Sequence, residues 1–167
     1  MTSEPTLSSL IITLSDRASQ NIYDDISGVE LESLLKTYMD NNALSCSTQR
    51  IVIPDDPILL QEAFQDAVSK KTDFIFTTGG TGIGPRDITP DVIQPLLSKV
   101  IPGIMELIRV KHGQQFPLAT LSRSIAGVAG QSLVFCLPGN PKAVREYMEE
   151  ILKILLHSYK MLQGKGH

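Results

Sequence analysis

Cysteine is scarce in this chain. There are two in 167 residues, Cys46 and Cys136, far apart and outside any CxxC spacing. Neither a disulfide framework nor a zinc knuckle is expected, and both thiols read as reduced and structural. Histidine is nearly as sparse. His112, His157 and His167 fall on helices or surface rather than in the loops described below, so none reads as a catalytic base and no His or Cys cluster invites zinc. Long apolar runs are missing too, which argues against a membrane span. Met1 to Thr6 lacks the charged region and apolar core of a secretory signal, so the cytoplasm is the expected compartment. A net charge of −3 argues against a dedicated nucleic-acid binder, though it leaves room for a local basic pocket. There is no internal repeat, low-complexity tract or linker, and the length suits a single domain over residues 1–167.

What is present is an alternation of strand and helix signals. Leu10 to Leu14, Arg50 to Ile53, Phe74 to Thr78 and Leu133 to Leu137 are short apolar runs, read as buried strands, with a further strand over Ser124 to Val128. Residues 18–26 read as loop. Ser27 with Glu30 three residues on suggests a capping box ahead of Leu31, Leu34, Leu35 and Tyr38. Asp56-Pro57 and Asn140-Pro141 pair a capping side chain with a first-turn proline, each opening a helix. Thr89-Pro90 starts another, which Pro95 breaks or kinks. Pro102 to Gln115 carries helical spacing, and the residues after Leu162 read as a frayed tail. The alternation predicts a three-layer α/β/α sandwich with a mostly parallel sheet. In such sheets ligands bind beyond the carboxyl ends of the strands. Four loops should therefore gather: Ser15-Asp16-Arg17, Pro54-Asp55, Thr78 to Asp87, and Pro138-Gly139-Asn140.

The loop Thr78-Gly79-Gly80-Thr81-Gly82-Ile83-Gly84-Pro85-Arg86-Asp87 is the densest in information. Its four glycines let backbone amides approach an anion closely. It lacks the Gly-Lys-Ser/Thr ending of a P-loop and the spacing of a dinucleotide fingerprint. A tight turn that merely needs glycine is the plainer reading. Asp55 and Asp87 each have two readings, a turn or capping residue or a functional carboxylate. If they converge, one must hold a proton or a cation must sit between them. Mg²⁺, which takes one or two carboxylates with water and phosphate oxygens, resolves the conflict. Arg17, Arg86, Arg123 and Lys142 are candidate phosphate partners, with Lys142 favoured by its place in a first helical turn.

Thr77-Thr78-Gly79-Gly80-Thr81-Gly82 with Pro85-Arg86-Asp87-Ile88-Thr89-Pro90 resembles the signature of the molybdopterin adenylyltransferases, the family of the bacterial Mog-type proteins and the gephyrin G domain. Ser15-Asp16-Arg17-Ala18, Asp25-Ile26-Ser27-Gly28, Ile53-Pro54-Asp55, Leu121-Ser122-Arg123 and Leu137 to Lys142 look like its other motifs, in its order. The resemblance implies transfer of AMP from ATP to the terminal phosphate of molybdopterin, with pyrophosphate released. By motif, Asp55 and Asp87 take the catalytic, Mg²⁺-binding positions. Thr78, Gly79, Gly80, Thr81, Gly82, Pro138 and Gly139 take the nucleotide side. Ser15, Asp16, Arg17, Ser122, Arg123 and Lys142 take the substrate side. A homotrimer and delivery of the product to a molybdenum insertase are also implied. An inactive molybdopterin-binding paralogue and a trimeric scaffold module are the rival readings, and retention of both Asp55 and Asp87 weighs against the first.

Overall fold

A computed structural model describes residues 6–165; His167 and nearly all of the segment read for a secretory signal lie outside the described residues. The strands are β1 (Leu7–Leu14), β2 (Cys46–Ile53), β3 (Phe74–Thr78), β4 (Lys99–Val100), β5 (Ile125–Ala129) and β6 (Ser132–Leu137). They form one sheet in the order β2-β1-β3-β6-β5-β4. β2, β1, β3 and β6 run parallel, and β5 is antiparallel to both β6 and β4.

Side-chain alternation sorts the core onto two faces. Ile11, Phe74, Phe76 and Phe135 face one way, packed against helices α2 (Ile26–Asn41), α5 (Pro102–Gly113) and α6 (Pro141–Leu162). Phe76 and Phe135 are register partners and stack with ring centroids 5.4 Å apart. Ile12, Ile75, Val134 and Cys136 face the other way, against α3 (Pro57–Ser69) and α4 (Thr89–Ile93). Helices thus cover both faces, and the three-layer mixed sandwich expected from the alternation is what the chain adopts. The fully covered strands β1, β3 and β6 are the near-continuous apolar runs of the sequence. Neither cysteine is bridged, and burial pushes the Cys136 thiol up to about 12, a group with no reactive thiolate near neutral pH.

Several local expectations are corrected. The segment read as loop begins with a short helix α1 (Asp16–Ser19), whose N-cap Ser15 accepts from the Ala18 amide. The cap of α2 is Asp25, not Ser27. Asp25 accepts from the Gly28 amide, while the Ser27 hydroxyl donates to the Gly139 carbonyl 2.6 Å away. Glu30 closes no capping box, and its carboxylate instead meets Arg145 at 3.3 Å. β2 begins four residues earlier than its apolar run, because its first half is an edge segment with exposed polar positions. β4 escaped notice for the same reason: both of its residues are exposed. The Asp56 and Asn140 caps form as expected. So does the break at Pro95, where α4 gives way to one 3₁₀ turn over Gln94–Leu96.

Candidate functional site

Parallel pairing brings the ends of β1, β2, β3 and β6 to one edge, with Leu14 opposite Ile53 and Thr78 opposite Leu137. The loops that follow therefore meet. Ser15, Asp55, Thr78, Gly79, Gly80, Arg86, Asp87 and Gly139 line one cleft of about 300 Å³. Asp16 joins its wall by exchange with Asp55. The Asp55 amide donates to Asp16 Oδ1 at 3.0 Å, and the Asp16 amide donates to Asp55 Oδ2 at 3.3 Å. Arg86 Nη2 lies 2.6 Å from Asp16 Oδ2 and also reaches the Asp55 carbonyl.

The charge balance of this corner is uneven: Asp16 and Asp55 lie beside Arg86, and Asp87 feels the charge of Arg123, which is itself paired with Asp91. The consequences differ with local bonding. The Asp55 backbone amide, and then Arg86, hold the Asp16 carboxyl below its ordinary range. Asp55 is pushed up, first by burial and then by the charges of Asp16 and Asp87, against the pull of the Asp16 backbone amide and of Arg86. Asp55 and Asp87 each use one carboxylate oxygen internally. Asp55 Oδ2 takes the Asp16 amide and Asp87 Oδ2 takes the Gly84 amide at 2.8 Å. No side-chain hydrogen bond of the described residues uses the Oδ1 of either.

The glycine loop is built for close backbone approach. Gly79 and Gly80 have φ of +102° and +65°, and a Cβ on Gly79 would lie 2.3 Å from the Leu14 carbonyl oxygen. The Gly79 amide is taken by the Leu137 carbonyl and is not free to meet a ligand. The amides of Gly80, Thr81 and Gly82 donate to no backbone acceptor among the described residues. Thr89 ties the loop down, its hydroxyl donating to the Gly79 carbonyl and its amide to that of Gly80. Thr78 donates to the Pro138 carbonyl at 2.8 Å, joining the β3 and β6 loops.

The remaining predicted residues disperse. Ser15 faces the cleft, 3.2 Å from the Tyr23 hydroxyl, and Arg17 sits over the Tyr23 ring rather than on the cleft wall. Ser122 and Lys142 lie elsewhere, in a second cavity of about 710 Å³ bounded by Thr81, Gly82, Pro138 and Gly139. Ser15 and Ser122 thus occupy different cavities, which meet at Gly139 and the glycine loop. Arg123 is committed to the protein itself. Its Nε donates to the Gly82 carbonyl at 2.8 Å, Nη2 to the Asp87 carbonyl, and Nη1 to both Asp91 oxygens at 2.8 and 3.0 Å. Sequence reasoning gave no role to Asp25, which accepts from Thr13 and Arg50 as well as Gly28. Its place ahead of a helix was a usable signal, but its distant partners were not.

The family described as "Probable molybdopterin binding domain" matches residues 10–157. The chain belongs to this family. The molybdopterin adenylyltransferase of Helicobacter pylori is 33% identical over 155 residues, 92% of this chain and 86% of that protein. Gephyrin of Dictyostelium discoideum is 38% identical over 161 residues, 93% of this chain but 22% of gephyrin. A solved structure described as "anomalous substructure of MogA" superposes with a TM-score of 0.83 at 35% identity, covering 93% of this chain and 99% of that one. Motifs and backbone therefore agree across nearly the whole of this family member.

Proposed function

We propose that this family member is a molybdopterin adenylyltransferase of molybdenum cofactor biosynthesis, transferring AMP from ATP to the terminal phosphate of molybdopterin. The observation that carries the reading is the meeting of two cavities at one glycine loop, with Asp55, Asp87 and Arg86 in the first and an apolar second. ATP occupies the first cleft with its phosphates at the free amide of Gly80, and the free amides of Thr81 and Gly82 continue the loop toward the second cavity. Molybdopterin occupies the second, its phosphate reaching the junction at Gly139. A phosphate oxygen of molybdopterin bonds to the α-phosphorus, the α–β bridging P–O bond breaks, and pyrophosphate leaves. No covalent enzyme intermediate is required. The amides and Arg86 are already oriented, so they stabilise developing phosphate charge with little reorganisation.

Asp55 and Asp87 suit Mg²⁺. They are hard oxygen donors in one cleft, each with Oδ1 unused, and Asp55 is raised first by burial and then by the neighbouring carboxylates, whose repulsion a cation would relieve. Among the described residues no group of three or more His, Cys, Asp or Glu side chains is placed to hold a metal alone. Such an ion would take its remaining ligands from substrate phosphate and water. When bound, such an ion supplies charge neutralisation at the phosphates. Ser15 belongs on the nucleotide side by position and Ser122 with Lys142 on the pterin side, while Asp16, Arg17 and Arg123 act through their neighbours. No described helix is long and apolar enough to cross a membrane. We further propose that residues 1–167 act as one cytoplasmic domain, as a homotrimer, and pass product to a molybdenum insertase.

The test is incubation of purified protein with ATP, Mg²⁺ and molybdopterin, following adenylated pterin and pyrophosphate. Equimolar appearance of both is expected, and Asp87→Asn should abolish turnover while keeping pterin binding. Pterin binding without turnover by the unaltered protein, or near-normal turnover by Asp87→Asn, overturns the reading.

A further inference from the structure

The second cavity has in its wall a carboxylate that takes no hydrogen bond from the described residues, with a histidine beside it. It lies between α5, the 3₁₀ turn over Pro117–Leu121 and the first turns of α6, with Ile83, Phe116, Leu118 and Tyr147 among its walls. His112 on α5 and Glu146 on α6 both line it. The Nε2 of His112 is buried and has no hydrogen-bond partner. Glu146 Oε2 is 3.7 Å from His112 Nδ1 and Oε1 is 3.7 Å from Lys142 Nζ, both beyond hydrogen-bond reach. No hydrogen bond among the described residues uses this carboxylate. A carboxylate in a cavity wall that takes no hydrogen bond from its own chain is open to donors on a ligand.

An apolar cavity of this volume with a few convergent polar groups is the ordinary form of a small-molecule site. The polar pair also selects among planar ligands. A carboxylate accepts two parallel N–H donors best, as it does from a guanidinium fork. The 2-amino-4-oxo edge of a pterin presents such a pair, N3–H beside the 2-amino group. We infer that Glu146 and His112 read the pyrimidine edge of the pterin, Glu146 accepting N3–H and the 2-amino group while His112, whose Nδ1 stands 3.7 Å behind that carboxylate, positions it. This rests on the reading that the second cavity takes the pterin. It assigns specificity to two residues outside the glycine, Pro-Arg-Asp and Ser-Arg motifs.

The probes are free pterin and lumazine, which carries a 2-oxo group where pterin has 2-amino. Binding is followed by ligand fluorescence, with ATP affinity and thermal unfolding as controls. Because hydrogen bonds to charged groups are worth about 1.5–3 kcal/mol, the unaltered protein should prefer pterin at least about tenfold. Glu146→Gln should bring the two affinities within about twofold of each other, the energy of its remaining neutral contacts being small. His112→Leu should weaken pterin binding with ATP affinity unchanged. If the unaltered protein binds both ligands alike, or a folded Glu146→Gln keeps the full preference, the inference is wrong. If Glu146→Gln does not fold, the preference of the unaltered protein and the His112→Leu titration decide the matter. The adenylation assay run alongside separates the two readings. Turnover without discrimination removes only this inference, and discrimination without turnover removes only the transferase.

Discussion

Replacing Arg123 with lysine tests whether the glycine loop is held by the protein contacts of this side chain. The guanidinium holds the carbonyls of Gly82 and Asp87, at opposite ends of the turn that carries Arg86, and pins Asp91 beyond it. A lysine ammonium is a single point and cannot hold three acceptors in that planar arrangement. Asp91 is 63% exposed, so its pair with Arg123 is worth about 0.5 kcal/mol. Two carbonyl hydrogen bonds from a cationic donor contribute about 1 kcal/mol each on this partly exposed side chain. The loss is then about 2.5 kcal/mol, which for a chain of this size lowers Tm by about 5–10 °C. Activity should fall further than stability suggests, because slack in the turn displaces Asp87. A misplacement of about 1 Å at a reacting centre costs about a hundredfold. Thermal unfolding and steady-state adenylation of Arg123→Lys and Asp91→Ala would be measured together. Asp91→Ala keeps the carbonyl clamp and should lose less than about 1 kcal/mol, with kcat nearly intact. Undiminished kcat in Arg123→Lys, or an equal loss in Asp91→Ala, would refute the carbonyl-clamp argument.

Two further perturbations follow from the same corner. Gly79→Ala forces an L side chain into φ +102° and against the Leu14 carbonyl. At a cost of about 1–3 kcal/mol for the backbone alone, Tm should fall and ATP affinity should weaken, while an unchanged ATP titration would count against the cradle. Asp55→Asn should act in the opposite sense on stability. A carboxyl whose folded value is raised destabilises the fold above that value, and the penalty disappears as pH falls below its ordinary range. The variant should therefore melt higher than the unaltered protein at pH 7, converge with it in acid, and lose turnover. A lower Tm at pH 7 would contradict the penalty of burying this carboxylate beside Asp16 and Asp87.

Residue chemistry along the chain is enough to find β1, β3 and β6, since strands covered on both faces must be continuously apolar. It also finds the caps at Asp56 and Asn140, because a cap, its proline and its helix are neighbours in sequence. Parallel order then follows from the helices between strands, and with it the gathering of the four loops. Edge strands carry no such mark, and β4 and the first half of β2 went unread. Asp25 and Ser27 are both good caps, and nothing local ranks them. The contact of Ser27 with Gly139, 112 residues away, settles which one turns toward the helix. The same limit hid the commitment of Arg123, whose partners include backbone carbonyls that every residue possesses. It also hid the facing of His112 and Glu146, which sit on separate helices and meet only across a cavity. Short-range side-chain chemistry thus specifies elements, caps and the glycine loop. Which carboxylates crowd, which arginine clamps and which polar atoms stay unpaired are set by packing between distant segments.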